Sequence, residues 1–335
     1  MEMSPGLLPA VSGFVTPRET GLDPDDPASV FDLLAAGQAA GIAGALLTIT
    51  GIIGGAPRGI GAQMAVLADG RYCGYVSGGC VEAAVASEAM RAIELGRDIA
   101  LRFGEGSPFM DIRLPCGGGI DILVHVRPDP AMIATAQAHL AERQPFAITF
   151  QSERSRARLV PLSPPRARSE WQKNGFVRHY HPLTQLLLIG EGPELVAVSK
   201  LGQAAGLPVL AYTTGTASTD FARDAGAAVT PVLGTALPQL PVDPFTAIVF
   251  LLHDRHKETR LLEAALSYDP FYIGALGSRR THAGRAALLA DAGVSDERLA
   301  RLRGPIGLFG PTRTASMLAI SVLGEITEAR IRLDA

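Results

Sequence analysis

From residue 184 to the C-terminus the chain alternates short, uninterrupted apolar runs with helix-compatible segments, and this alternation constrains the fold more than any other feature. Apolar runs at 186–189, 207–212, 227–232, 247–252 and 271–276 are separated by helical stretches at 194–205, 220–225 and 258–267. Two or three further helices complete the chain. A strand wetted on one face alternates polar and apolar residues; these runs do not, so both of their faces must be covered. The pattern predicts a Rossmann-like, doubly wound parallel sheet.

The first half reads differently. A helix at 25–41 precedes a buried strand at 44–50. The runs 63–68 and 71–76 flank Asp69-Gly70, the pair that a two-residue type I′ hairpin favours because both central residues need positive φ. A helix at 81–95 closes at Gly96, strands follow at 99–103 and 120–126, and a helix at 131–143 comes next. Runs at 146–151 and 157–162, with a further short run ending at His181-Pro182, read as a β-extension. We therefore expect an N-terminal α/β domain with a mixed sheet at 1–180, its β-extension at 145–180, and a Rossmann-like domain at 184–335.

Composition narrows the function classes. A net charge of -3 with 19% charged residues supplies neither the basic surface of a nucleic-acid binder nor a polybasic membrane anchor. Residues 39–57 carry no charge, but five glycines and Pro57 make them a poor membrane span. Residues 1–20 show no secretory signal pattern, and Cys73, Cys80 and Cys116 form no CxxC pair or zinc ladder. A reducing, cytoplasmic setting is expected.

Four loops carry the candidate chemistry. Gly190-Glu191-Gly192-Pro193-Glu194-Leu195 follows an apolar strand and opens a helix, which is where backbone N–H groups receive a pyrophosphate. Leu195 stands at the third glycine position, so helix and strand are expected to approach less closely. The second strand ends Tyr212-Thr213-Thr214, with no carboxylate for a ribose 2′-hydroxyl. His253 and Asp254, at the tip of the fourth strand, read either as a ligand-orienting acid–base pair or as a helix cap beside exposed basic residues. Gly277-Ser278-Arg279-Arg280 makes a second anion cradle at a strand-to-helix turn. In the first half, Gly54-Gly55-Ala56-Pro57-Arg58 leaves a buried strand, and Ser77-Gly78-Gly79-Cys80 leads into a helix carrying Glu82 in its first turn. Cys116-Gly117-Gly118-Gly119 repeats the cysteine–glycine theme ahead of a strand. Their glycines leave space for a ligand beside sulfur; the plainer alternative is a buried thiol, the reading taken for Cys73.

Together these clusters resemble the XdhC/CoxI family of accessory proteins for molybdenum hydroxylases such as xanthine dehydrogenase. The resemblance rests on Gly55-Ala56-Pro57-Arg58, Ser77 to Glu82, Cys116-Gly117-Gly118, Gly190 to Glu194, His253-Asp254, Gly274 to Arg280 and Pro305-Ile306-Gly307-Leu308. It implies a cytoplasmic, often dimeric chaperone, without turnover of its own, that binds molybdenum cofactor (molybdopterin). Such a protein assists sulfuration by a cysteine desulfurase and delivers the cofactor to an apo molybdenum hydroxylase. Molybdenum with sulfur ligands tolerates nearby thiols, which makes Cys80 and Cys116 the candidates near the metal. The chain departs from the family at Tyr212-Thr213, where an acidic residue is common. It departs again at Thr314 to Met317, in place of a Thr-Pro-Glu-Glu-like helix start, and at Leu252 to Arg255, in place of Thr-His-Asp-His. Two other readings compete: an NAD(P)-dependent oxidoreductase using the Gly190/Gly192 loop, and a thiol switch between Cys80 and Cys116.

Overall fold

A computed structural model describes residues 16–20, 26–107, 117–151, 156–162, 168–213, 216–224, 226–232 and 238–334. The chain divides into two compact units, Met1–Pro182 and Leu183–Ala335.

Unit 1 is built on a six-stranded mixed sheet. Its strands are β1 (Arg18–Glu19), β2 (Gly44–Ile53), β3 (Gln63–Leu67), β4 (Arg71–Gly74), β5 (Ile99–Gly104) and β6 (Gly119–Val126), in the order β1-β4-β3-β2-β6-β5. Only the β1–β4 pairing is parallel. The period-2 pleat divides β2 between two cores. Ala45, Leu47 and Ile49 pack with Val85, Ala89 and Ile93 of α2 (Glu82–Leu95). Leu46 faces the opposite way, into a core shared with α1 (Pro27–Ala39), α3 (Pro130–Ala141), Cys73 and the β-extension. That extension is a four-stranded antiparallel sheet of β7 (Phe146–Gln151), β8 (Arg156–Pro161), β9 (Glu170–Gln172) and β10 (Gly175–Tyr180), in the order β8-β7-β10-β9. Helices α1 and α3 begin alike: Asp26 and Asp129 accept from the backbone N–H two residues on, and a proline opens each helix.

The β3–β4 hairpin differs from the expected type I′ turn. Val66 pairs with Tyr72, Gly70 N–H donates to Leu67 O at 3.0 Å, and of the two turn residues only Gly70 has positive φ (86°). This is a type I turn closed by a left-handed glycine. Asp69 keeps the negative φ ordinary for an L-residue, and its carboxylate accepts from Arg71 N and pairs with Arg71 Nε at 2.8 Å.

Unit 2 is an all-parallel sheet of β11 (Gln185–Gly190), β12 (Val209–Thr213), β13 (Ala228–Pro231), β14 (Thr246–Leu251), β15 (Tyr272–Ala275) and β16 (Leu302–Arg303). Its order is β13-β12-β11-β14-β15-β16. In chain order within the unit this is 3-2-1-4-5-6, the doubly wound Rossmann arrangement, whose crevice opens where strand order reverses between β11 and β14. Both faces of β11 are covered, which explains its continuous apolar run. Leu186 and Leu188 meet α4 (Gly192–Ala204) and α9 (Ala315–Asp334), while Leu187 and Ile189 meet α6 (Arg255–Ala265) and α7 (Arg279–Asp291). Helices α5 (Thr216–Asp224) and α8 (Asp296–Ala300) complete the unit. The sixth strand escaped the sequence reading because two residues, one of them Arg303, carry no apolar period.

Close helix–sheet approach does occur, at Gly202 rather than at Leu195. A Cβ on Gly202 would sit 2.6 Å from Leu186 Cδ1 and 3.1 Å from Val209 Cγ2. Leu195 is instead fully buried in the core.

Candidate functional site

In unit 1 the neighbouring strands β2 and β6 bring two glycine-bearing loops side by side, with Ile53 opposite Gly119. A Cβ on Gly118 would lie 2.2 Å from Gly55 O and 2.5 Å from Ile53 O, so only glycine lets these backbones touch. The Ser77–Cys80 loop joins them: a Cβ on Gly78 would be 3.9 Å from Pro57 Cβ. Segments 54–58, 77–80 and 117–118 therefore converge. Around Gly55, Gly79 and Gly117 a Cβ would meet nothing within 4 Å, and Cys80 is exposed beside this open space. Cys116, predicted to share the site, lies outside the described residues. Cys73 is buried in the core, as expected.

Glu82 holds the thiol loop in shape. Its carboxylate, 1% exposed, accepts from Ser77 N (2.7 Å), Val81 N (3.1 Å) and Val76 N (3.2 Å), and lies within 2.9 Å of the donating Ser77 hydroxyl. Ser77 Oγ in turn accepts from Cys80 N at 3.2 Å. An acid at the first turn of α2 also suits the helix dipole. Glu82 and Ser77 were expected to touch a ligand; here they position the loop that could.

The Pro57–Gly61 segment, which includes Arg58, lines a cavity of about 330 Å³ together with Gln63, Tyr75 and Arg178. Arg178, on β10, packs against Gly61 (φ 89°) and lies over the Tyr180 ring at 4.6 Å. Burial pushes its guanidinium pKa down. Burial also raises the Tyr180 hydroxyl, which donates to Gln63 Oε1 at 2.7 Å. The Tyr75 hydroxyl, hydrogen-bonded to Glu19, is pushed up to about 12. Arg178 was missed in the sequence, although a signal exists: an arginine alternating with Phe176 and Tyr180 shares the inward face of a strand.

In unit 2 the loops after β11 and β14 are neighbours. Gly190 is required by packing, because its Cβ would lie 2.3 Å from Leu251 O. Gly192 adopts φ 83° and donates its N–H to Ser218 Oγ at 2.8 Å. Pro193 opens α4. Glu194 Oε2 is 3.4 Å from where a Gly192 Cβ would sit, so the chain's own carboxylate reaches over the turn. The same oxygen lies 3.8 Å from His253 Nε2. Asp254 accepts from Lys257 N at 3.3 Å as the cap of α6, and among the described residues the acid that pairs with His253 is Glu194. After β15, Gly277 takes φ 145°, Ser278 Oγ caps α7 by accepting from Thr281 N at 3.1 Å, and Arg279 and Arg280 are exposed. Arg285 faces inward: it forms a bidentate pair with Glu258 (3.0 and 2.9 Å) and donates to Leu276 O at 2.6 Å, which anchors the end of β15. Among the described residues no cluster of three or more His, Cys, Asp or Glu side chains could hold a metal ion. Nor is any described helix long and apolar enough to cross a membrane.

Known proteins resemble the chain over both units. Residues 37–104 match the family described as XdhC and CoxI, and residues 186–326 match the XdhC Rossmann domain. A molybdenum cofactor insertion chaperone, PaoD of Escherichia coli K12, is 36% identical over 310 residues, spanning 92% of this chain and 91% of that one. The chain belongs to the XdhC and CoxI family. A crystal structure from Bacillus halodurans, described as a xanthine dehydrogenase, superposes with a TM-score of 0.71 over 90% of this chain and 96% of that one. At 19% identity it speaks for the shared fold. Family membership thus extends over the thiol–glycine loops of unit 1 and the parallel sheet of unit 2.

Proposed function

We propose that this protein is a cytoplasmic chaperone that holds molybdenum cofactor and hands it to an apo molybdenum hydroxylase of the xanthine dehydrogenase type. The observation that carries this reading is the convergence of three glycine-bearing loops beside the exposed Cys80 thiol. Open space at Gly55, Gly79 and Gly117 gives a bulky cargo access to sulfur. A thiol there suits a soft metal centre with sulfur ligands. Glu82 fixes the loop before cargo arrives, so binding need not order it. The named function of PaoD supports the same assignment. Sulfuration of the bound cofactor by a cysteine desulfurase, and action as a homodimer, complete the proposal.

A dehydrogenase reading draws on the strand order and the Gly190–Gly192 turn. Weighing against it are Thr213, buried where NAD binders place an acid, and Glu194, whose carboxylate lies where a pyrophosphate would need backbone donors.

The test is to isolate the protein from cells that make the cofactor, oxidise bound pterin to its fluorescent form, and assay activation of an apo-hydroxylase. Retained pterin and a rise in hydroxylase activity are expected. Protein that carries no pterin and does not activate the hydroxylase contradicts the proposal.

A further inference from the structure

We infer that the cavity of unit 1 lined by the 57–61 loop and β10 is an oxyanion site whose fixed charge is Arg178, and that it takes the phosphate group of the cargo. The second half of that statement rests on the proposed function; the first does not.

Among the described residues Arg178 is a cation without a counter-ion. Its Nη1 donates to Ser169 Oγ at 3.5 Å and to the His179 carbonyl, both neutral, and its Nε is buried with no hydrogen-bond partner. Among the described residues no carboxylate lies within ion-pair distance of it. Arg178 is half-buried, and even partial removal of a charge from water is costly unless an opposite charge meets it. Tyr180 offers only the face of its ring.

The walls suit an anion. Asp26 is the one carboxylate among the described lining residues, and its Oδ1 already accepts from Ala28 N as the cap of α1. Arg58 lines the cavity alongside Arg178. A guanidinium fork matches the paired oxygens of a phosphate. The volume of about 330 Å³ lies within the range of small-ligand sites, roughly 300–1,000 Å³, and exceeds what one phosphate group fills.

The cavity also adjoins the thiol loops. Pro57 lines it while lying next to Gly78, and Tyr75 lines it two residues before Ser77. A molecule with an anionic tail and a sulfur-rich head could therefore occupy both places within unit 1. Glu194 reaching over the Rossmann turn makes unit 2's best-placed loop a poorer home for that tail.

The probes are inorganic phosphate and pyrophosphate, titrated calorimetrically into the full-length protein. Wild type should bind them. Arg178→Gln should bind at least about tenfold more weakly, as loss of a charge-assisted contact requires, and Arg178→Lys should fall between. Hydrogen exchange on wild type needs no variant to fold: phosphate should slow exchange in segments 57–63 and 176–180. The inference is overturned by wild type that does not bind either anion at millimolar concentration, or by Arg178→Gln binding within twofold of wild type. Protection confined to 190–195 or 277–281, or affinity lost in Arg279→Gln but kept in Arg178→Gln, also overturns it. If phosphate binds through Arg178 while wild type retains no pterin, the chaperone reading falls and the anion site stands. If pterin is retained and Arg178→Gln binds phosphate normally, the reverse holds.

Discussion

The two units both place glycine-rich turns at the ends of buried strands, yet the glycines serve different ends. In unit 2, Gly190 makes room for the Leu251 carbonyl and Gly192 lies beneath the chain's own Glu194 carboxylate. In unit 1, Gly118 likewise makes room for backbone, but Gly55, Gly79 and Gly117 face open space next to an exposed thiol. Glycine-rich composition is thus two signals in one. What stands opposite the missing Cβ decides whether the residue serves packing or leaves room for a ligand.

Substitutions separate the two kinds of glycine turn. The largest effect is expected at Glu82→Ala, which leaves the N–H groups of Val76 and Ser77 buried without their acceptor and Val81 N–H with only the 3.4 Å contact to Ser77 Oγ. At roughly 1–3 kcal/mol per stranded group, a loss of about 3 kcal/mol or more in denaturant unfolding should accompany collapse of the thiol loop. Gly118→Ala and Gly190→Ala come next, each costing about 1–3 kcal/mol because a backbone oxygen must move. Gly55→Ala is the sharper test: its stability should stay within about 0.5 kcal/mol of wild type, yet pterin retention should fall, since the added methyl enters the open space. Equal retention would show that this space is not used.

The smallest expected effect concerns pH. Burial first, and Arg285 second, lower the His282 pKa below its ordinary 6.5, and a Cβ on Gly304 would lie 2.2 Å from the ring's Nδ1. The unfolded chain therefore binds this proton more readily than the folded one. The contribution to stability is complete above about pH 6.5 and declines as pH falls toward the lowered folded value. His282→Asn should flatten the acid side of the melting-temperature profile; an unchanged profile would remove His282 as the cause.

Much of this was legible in the residues. Five of the six strands of unit 2 announce themselves as continuous apolar runs because the sheet is covered on both faces. The Ser77–Glu82 and Gly54–Arg58 loops stood out as glycine clusters beside thiol and charge. What stayed hidden depended on contacts distant in sequence. Gly202 substitutes for the third Rossmann glycine only because Leu186 and Val209 lie opposite it. Glu82 reads as a ligand contact until three backbone donors are seen to claim it. Asp254 read equally as an acid–base partner of His253 or as a helix cap; it caps α6, and His253 lies 3.8 Å from Glu194 on the adjoining loop. Asp69-Gly70 located its hairpin, but the turn type depended on which residues paired across it, not on the dipeptide.

The chaperone role proposed for this protein requires that the converged loops of unit 1 grip the cargo through Cys80. Pterin content should be measured in wild type and Cys80→Ala purified side by side, with melting temperatures as the control for folding. Clearly lower pterin in the variant at an unchanged melting temperature is the predicted result. Equal pterin in the two proteins would contradict the account.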